Sequence, residues 1–180
     1  VLVTDRAFGN ADTLATSYSI LSAANTQDKY DMIFCGKESL DGATGQMGAQ
    51  LAQRFGAAQV TGALLIKEVN EEAKTAVVER ELEDGVETLE VQLPCLFTME
   101  KTNYPARIPN LKGKLAAKKA VITTITADDI PGLDRNRIGD PGSPTKVPRM
   151  FPPVMPEPGI IIDEGSVEAS VAKLMQLIKD

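Results

Sequence analysis

Residues 32–48, MIFCGKESLDGATGQMG, decide the fold class. Met32 to Cys35 are a short uncharged apolar run, as in a parallel strand that is buried on both faces. A loop of small residues, Gly36 to Thr44, follows this strand. A helix is predicted from about Gly45 to Phe55. This strand–loop–helix order predicts an α/β domain with a doubly wound, mostly parallel sheet.

A second strand–loop–helix unit lies upstream. Val1 to Thr4 form a short apolar strand, and the loop Asp5 to Ala11 follows it. Asp12 is expected to cap a helix from about Thr13 to Ala24, with Leu14, Tyr18 and Leu21 on one face. The chain begins within a strand and without an initiator Met, so we expect an N-terminal part to precede it.

Downstream, the pattern changes to β-rich segments separated by turn signals. Alternating apolar and polar residues in the middle two segments predict an antiparallel hairpin appended to the sheet. The segments are Val60–Val69, Thr75–Leu82, Val86–Leu93 and Leu96–Met99. A further strand, Val121 to Thr126, completes a predicted nucleotide-binding domain of residues 1–126.

Residues 127–180 are expected to form a Pro-rich extended arm and a C-terminal helix. The prolines of 127–160 prevent regular helix or central strand. Apolar residues such as Phe151 and Val154 require burial, so the arm is expected to lie on a partner subunit. The helix is predicted from Ser166 to Lys179.

Composition excludes several function classes. The chain has no His, which excludes His-based catalysis, and its two Cys lie far apart, which makes a metal site improbable. A net charge of −6 argues against nucleic acid and anionic membranes as partners. With no spanning apolar run, a cytoplasmic protein with reduced thiols is expected.

The loop between Cys35 and the following helix is the main candidate site. Gly42, Gly45 and Gly48 would let the backbone approach a ligand, and the N–H groups of Gly45, Gln46 and Met47 would favour a phosphate. A plain strand-to-helix turn is an equally good interpretation. In the upstream loop, Asp12 as a simple cap and Asp5–Arg6 as a surface pair are the favoured interpretation.

Three segments together resemble the beta subunits of electron-transfer flavoproteins. Residues 35–48 are similar to that family's nucleotide loop, and residues 78–98 to the family signature. Residues 107–111, RIPNL, lie in the basic segment 101–119 and are similar to the loop that docks partner dehydrogenases. The resemblance implies a Rossmann-like fold and a heterodimer with an alpha subunit that holds the electron-transferring FAD.

The resemblance further implies a cofactor in the beta subunit. Housekeeping members hold a structural AMP, whereas flavin-bifurcating members hold a second FAD that accepts electrons from NADH. Thr4–Thr16, Asp41–Gln46 and Gly142–Thr145 resemble the bifurcating type. Arg6 is expected to place positive charge near the flavin or its pyrophosphate. The implied cofactor-binding residues are Asp5, Arg6, Phe8, Asp12, Thr13, Cys35, Gly36, Asp41, Thr44, Gly45, Gln46 and Met47.

The implied partners are the alpha subunit, an acyl-CoA or similar flavin dehydrogenase, and ferredoxin or flavodoxin as low-potential acceptor. Ile108, Pro109, Asn110 and Leu111 are the expected docking residues, with Ile108 where the family usually has an anchoring Leu. Three alternatives stay open: an AMP-holding housekeeping subunit, a nucleotide sensor of the universal-stress type, and a purely structural partner subunit with an empty pocket.

Overall fold

The computed structural model describes residues 1–101, 104–156 and 158–179. Residues 102 and 103 of the basic segment and residue 157 of the predicted arm lie outside this range. The chain divides into two compact units, Val1–Lys146 and Val147–Asp180, each described by itself below.

The elements alternate between strands and helices in the first half of the chain and then become mainly strands. The strands are β1 (Leu2–Val3), β2 (Met32–Gly36), β3 (Ala58–Asn70), β4 (Thr75–Leu82), β5 (Gly85–Gln92), β6 (Cys95–Met99) and β7 (Thr124–Ile125). The α-helices are α1 (Thr13–Ala24), α2 (Met47–Phe55), α3 (Leu111–Lys119) and α4 (Val167–Lys179).

The main sheet has five strands in the order β2-β6-β3-β4-β5. Strand β6 is parallel to β2 on one side and to β3 on the other. Strand β4 is antiparallel to both β3 and β5. Strands β1 and β7 form a separate two-stranded parallel sheet. The predicted α/β fold, with mostly parallel pairing and an appended antiparallel hairpin, is therefore confirmed.

The core lies around β6. Cys95, Leu96 and Phe97 have no exposed surface. Phe97 stacks on Phe34 of β2, with ring centroids 5.4 Å apart. On the β3–β4 side, Val60 and Val78 belong to the same buried cluster. A largely apolar sequence is what a strand paired on both edges and covered on both faces requires.

The antiparallel part begins in β3, which is bent by two irregularities in its register with β4. Gly62 near the first has φ +68, and a Cβ there would lie 3.0 Å from the carbonyl oxygen of Glu81. Because both the backbone conformation and the space favour glycine, Gly62 fixes where the strand bends. Arg80 on β4 pairs with Glu87 on β5 at 2.6 Å, as the register of the predicted hairpin requires.

Helix α1 spans the predicted residues, but its buried face differs from the prediction. The buried residues are Ala15, Ser17, Ser19 and Ala23. Leu14, predicted on the apolar face, is 43% exposed. Small side chains let α1 approach its neighbours closely, and the buried hydroxyl groups make hydrogen bonds: Ser19 donates to the carbonyl oxygen of Ala15 at 2.8 Å.

Helix α2 begins at Met47 rather than Gly45, and it contacts β6 through Gly48. A Cβ on Gly48 would lie only 2.2 Å from Cγ2 of Thr98. The interpretation that Gly48 lets the backbone approach a ligand is therefore wrong. The missing side chain instead lets α2 pack closely against β6. Gly56, with φ +63, ends the helix in the left-handed conformation.

Helix α3 lies in the basic segment 101–119, for which the sequence analysis predicts no helix. Asn110 caps the helix by accepting the N–H of Gly113 at 2.8 Å. Lys118 and Lys119 lie in the last turn, where cations interact favourably with the helix dipole. Strand β7 is shorter than the predicted Val121–Thr126.

The unit of residues 147–180 contains α4, which matches the predicted C-terminal helix to within one residue. Within this unit, a groove lined by Ile162, Val167, Val171 and Leu174 runs beside the helix. The Pro-rich residues of this unit have no regular secondary structure where the structure describes them. Their apolar side chains are exposed, as at Phe151 (72%) and Val154 (95%).

We predict that Gly48→Ala destabilises the fold by about 1–3 kcal/mol, because the added methyl group overpacks the contact with Thr98. Urea unfolding measures this change. Thr98→Ser removes the clashing Cγ2 but keeps a hydroxyl group. That hydroxyl can still accept the N–H of Gly62, as Oγ1 of Thr98 does at 3.2 Å in the native protein. In this background, Gly48→Ala should be neutral or stabilising, because Ala favours helix. Equal destabilisation in both backgrounds would contradict the assigned contact.

Candidate functional site

The N-terminus of α1 is fixed by Asp12, which uses both carboxylate oxygens. Oδ1 accepts the N–H groups of Leu14 and Ala15, each at 3.0 Å, as predicted for a helix cap. Oδ2 accepts the N–H of Thr145 at 3.1 Å. Burial alone would raise the pKa of this carboxyl, but the N–H groups of Ala15, Thr145 and Leu14 outweigh it and lower the pKa.

Ser143 joins the same structure from the other side. Its Oγ accepts the N–H of Asp12 at 2.8 Å and donates to the carbonyl oxygen of Gly139 at 2.7 Å. Ser143 is almost completely buried. Residues 143–145, part of the segment compared above with bifurcating proteins, are therefore held against the start of α1.

Asp5 ties the ends of β1 and β7 together. Its Oδ1 accepts the N–H of Ala7 at 2.9 Å, and its Oδ2 accepts the N–H of Ala127 at 3.1 Å. These bonds, led by that from Ala7, lower the pKa of the carboxyl. Asp5 and Asp12, the two predicted acidic site residues of the upstream loop, thus have structural hydrogen bonds on each oxygen.

The other two predicted site residues of the upstream loop, Arg6 and Phe8, lie in different environments. Arg6 is exposed and lines a cleft of about 310 Å³ together with Arg135. This placement leaves its guanidinium accessible to an anionic group. Phe8 is partly buried and packs against Ala23, Ile125 and Ile130. Its side chain contributes to the core beneath the loop.

The loop from Gly36 to Gln46 is exposed throughout. It is held by its own turns: Ala43 donates its N–H to the carbonyl oxygen of Ser39 at 2.9 Å, and Gly42 donates to Asp41 at 2.9 Å. A hydrogen bond from Ser39, followed by those from backbone N–H groups, lowers the pKa of Asp41. Ala43 and Gly45 have positive φ angles of 44 and 62.

The residues that flank this loop pack inward. Cys35 and Met47 are partly buried against Leu51, Ala52 and Leu96. Gly36 ends β2 opposite Met99. The backbone at the two ends of the loop is thus fixed by the core, and only the loop itself is free to contact a ligand.

The N-terminus of α2 is open on its loop side. Gln46 is the N-cap residue, but its side chain makes no cap bond. Thr44 Oγ1 is at the limit of hydrogen-bonding distance from the Gln46 N–H, 3.5 Å. The first N–H groups of α2 have no partner within the helix, so this end suits an anionic group such as a phosphate.

Thr13 and Gln46 bring the two predicted loops together. Thr13 Oγ1 donates to Gln46 Oε1 at 2.9 Å and accepts from Gln50 Nε2 at 3.2 Å. The starts of α1 and α2 therefore lie side by side. Asp12 caps α1, and the exposed loop leads into α2. Both helices start beyond the carboxyl ends of strands, β1 and β2, although these strands belong to separate sheets. Open α/β sheets bind ligands beyond the carboxyl ends of their strands.

Comparison with known proteins shows the family of this chain. A family model of the electron transfer flavoprotein domain matches residues 1–130. The electron transfer flavoprotein subunit beta of Thermoanaerobacterium thermosaccharolyticum is 40% identical over 97% of this chain. The chain belongs to the electron transfer flavoprotein beta-subunit family. The alternative of a universal-stress-type sensor is thereby excluded.

Two further relatives of this family have more specific names. The caffeyl-CoA reductase-Etf complex subunit CarD of Acetobacterium woodii is 37% identical over 99% of the chain. The acryloyl-CoA reductase electron transfer subunit gamma of Anaerotignum propionicum is 36% identical over 98%. The chain spans 65%, 67% and 68% of the lengths of these three relatives.

Residues 108–111, predicted from the sequence to dock partner dehydrogenases, are exposed at the start of α3. Ile108 is 88% exposed and Leu111 is 74% exposed. Asn110 acts as the helix cap, so the helix fixes the position of the two apolar side chains that flank it. Pro109, immediately before the cap, is exposed as well. The docking role itself stays a prediction.

Neither cysteine is suited to chemistry. Burial raises the pKa of the Cys95 thiol to about 11 and also raises that of Cys35. Both are free thiols, as expected. Because the thiolate is the reactive form, both remain unreactive near neutral pH.

The described part of the chain contains neither a cluster of metal-ligating side chains nor a membrane-spanning helix. No group of His, Cys, Asp and Glu side chains there could hold a metal ion. Among the same residues, no helix has the length and apolar character needed to cross a bilayer.

Three residues that support the site were missed from the sequence: Ser17, Gln50 and Arg54. They join α1 to α2 through side-chain hydrogen bonds. The sequence does contain a pattern that predicts these contacts, since polar residues recur at i, i+4 spacing in both segments. They are Thr13 and Ser17 in α1, and Gln46, the N-cap of α2, followed by Gln50 and Arg54 within that helix.

We predict that Asp12→Asn lowers the free energy of unfolding by about 1 kcal/mol, because Asn keeps the cap but turns an N–H donor toward the Thr145 N–H. Asp134→Asn is the matched control, since the Asn136 N–H needs only Oδ1 there (2.9 Å in the native protein).

The same variant predicts a pH dependence. The folded-state pKa of Asp12 is lowered, so its contribution is present above the ordinary aspartate pKa and is lost as the pH falls through the lowered value. The unfolding free energies of the native protein and Asp12→Asn should therefore converge in acid. A constant difference between pH 7 and acid would refute this.

Proposed function

We propose that this chain is the beta subunit of a flavin-bifurcating electron transfer flavoprotein, holding FAD at the edge formed by α1, α2 and the exposed loop. The observation that carries the proposal is the Thr13–Gln46 hydrogen bond, which joins the two loops that resemble the bifurcating type. The names of the relatives from Acetobacterium woodii and Anaerotignum propionicum, which refer to CoA-ester reductases, support a subunit that passes electrons.

The residues present fit an adenine dinucleotide. The open start of α2 and the small residues of the loop suit a pyrophosphate, with Gly45 allowing the backbone to approach it. The exposed guanidinium of Arg6 would add positive charge. The carboxylates of Asp5 and Asp12 hold backbone in place, so we propose that they shape the site rather than donate or accept protons.

A flavin bound here would supply the electron-accepting chemistry, with NADH as donor. The chain itself would position the cofactor and supply the surrounding electrostatics. We propose that electrons pass within a heterodimer to the alpha subunit, to an acyl-CoA or similar dehydrogenase, and to ferredoxin or flavodoxin. A cytoplasmic location stays the expectation from the sequence.

The exposed apolar residues of 147–156 support the second part of the proposal. Val147, Met150, Phe151, Val154 and Met155 are each at least 71% exposed. A row of this kind in a Pro-rich segment fits an arm that covers a partner. We propose that the alpha subunit is that partner. The first part of the predicted arm, before residue 147, is tied to the site by the hydrogen bonds of Ala127 to Asp5 and of Thr145 to Asp12.

One second candidate is supported by a specific observation. A single phosphate at the start of α2 would satisfy the same N–H groups, and AMP provides one. The housekeeping type of subunit, in which this chain holds AMP and carries no redox centre, is therefore the competing function.

Nucleotide analysis decides between them. We expect the complex of this chain with its alpha partner, once denatured, to release two FAD per heterodimer and no AMP, as measured by chromatography. One FAD and one AMP would make this chain a structural AMP-holding subunit. Release of a single FAD with no second nucleotide would reject both functions.

Dehydrogenase docking is tested at Ile108. We predict that Ile108→Asp lowers the rate of electron transfer to the partner dehydrogenase about tenfold or more, because a charge replaces an apolar anchor. Nucleotide content should not change. Val121→Asp is the matched control, since Val121 is 94% exposed and lies outside the docking residues. Equal losses in both variants would argue against a specific anchor.

A further inference from the structure

A chain of side-chain hydrogen bonds crosses from the end of α2 to its start. Arg54 Nε lies 2.9 Å from Ser17 Oγ, which lies 2.9 Å from Gln50 Oε1. Gln50 Nε2 lies 3.2 Å from Thr13 Oγ1, which lies 2.9 Å from Gln46 Oε1. Ser17 is fully buried. The chain therefore links a charged residue to the cap of the helix at the nucleotide loop.

Arg54 fixes the direction of this chain. A guanidinium only donates, so Ser17 must accept from it and has one hydrogen to donate onward. That hydrogen has two acceptors in reach, Gln50 Oε1 and the carbonyl oxygen of Leu14, both at 2.9 Å. The Leu14 oxygen already accepts from Arg54 Nη2 at 3.0 Å. Donation to Gln50 therefore leaves every group satisfied.

The direction then passes to the end of the chain. With its oxygen toward Ser17, the Gln50 amide presents its NH2 group to Thr13. Thr13 accepts that bond and donates to Gln46 Oε1. The oxygen of the Gln46 amide is thereby occupied, so its NH2 group is the part left for a ligand. Bonds aligned in one direction also strengthen one another.

We propose that Arg54, Ser17 and Gln50 are positioning residues that orient the Gln46 carboxamide, so that Gln46 donates a hydrogen bond to an acceptor oxygen of the bound nucleotide. This inference rests on the proposed nucleotide-binding function and adds the polarity of one contact in that site. The ligand group it selects is a phosphate or carbonyl oxygen, not an N–H donor.

Gln50→Glu tests the polarity without removing the chain. A carboxylate at residue 50 accepts from both Ser17 and Thr13. Thr13 then has no hydrogen left for Gln46, whose NH2 group must turn to Thr13 and away from the ligand. We expect FAD and AMP to bind roughly tenfold more weakly, the effect of losing one hydrogen bond. Gln46→Glu removes the donor directly and adds a negative charge beside the bound phosphate, so it should weaken binding at least as much.

Stability separates positioning from folding. The carboxylate introduced by Gln50→Glu lies four residues before Arg54, a favourable ion-pair spacing on a helix, so this variant should leave the thermal midpoint unchanged or raise it. Gln50→Met breaks the chain and should lower the midpoint, but it leaves Gln46 free to rotate and should weaken binding only about two- to threefold. Affinity and stability should therefore rank the two variants in opposite order.

The measurements are dissociation constants for FAD and AMP at this chain's site, by calorimetry on the full chain assembled with an alpha partner that retains its own FAD, after the nucleotide of this chain has been removed. Gln53→Glu is the charge control, because Gln53 is exposed on the same helix and should bind as the native protein does. Native-like affinity in Gln50→Glu, or affinity that simply follows stability, would overturn the positioning proposal alone. Failure of the native complex to bind either nucleotide would overturn the proposed function and this inference with it.

Discussion

Strand β6 is the element on which the rest of the structure depends. It is hydrogen-bonded to β2 on one edge and to β3 on the other, and four successive residues, Cys95 to Thr98, are buried. Helix α2 approaches it closely enough that only glycine fits at residue 48. That contact sets where α2 begins, and through Thr13 and Gln46 it sets where α1 lies. The candidate site is therefore positioned by the core of the sheet.

The sequence predicted most elements because their local patterns agree with their final environment. The Asp12 cap and the antiparallel hairpin follow from turn chemistry and periodicity. The apolar run of β2 predicts the strand itself correctly, but the prediction that it is buried on both faces is wrong, because β2 lies at the edge of the sheet with Phe34 54% exposed. Predictions failed where a contact distant in sequence decides the outcome. Gly48 resembles a ligand-binding glycine until Thr98 is placed against it. The prediction that α1 buries its face of Leu14, Tyr18 and Leu21 is wrong for the same reason, since the buried face carries Ala and Ser.

The site shows the same division between local and distant information. Which loops lie at the ends of strands can be inferred from the order of elements alone. Which atoms remain available cannot, because Asp12 is satisfied by Thr145, a residue far along the chain. Loops Asp5–Asp12 and Gly36–Gln46 supply accessible backbone and amide groups, while their carboxylates at Asp5 and Asp12 serve the fold. The family assignment adds what such a site is used for among relatives.

The two edges of the main sheet differ in how readily they would accept another strand. Strand β5, at one edge, carries Glu87 and Glu90, and like charges oppose pairing with a second copy. Strand β2, at the other edge, is uncharged from Met32 to Gly36, and its Phe34 is 54% exposed. Of the two edges of this sheet, β2 is therefore the one at which pairing with a further strand is expected.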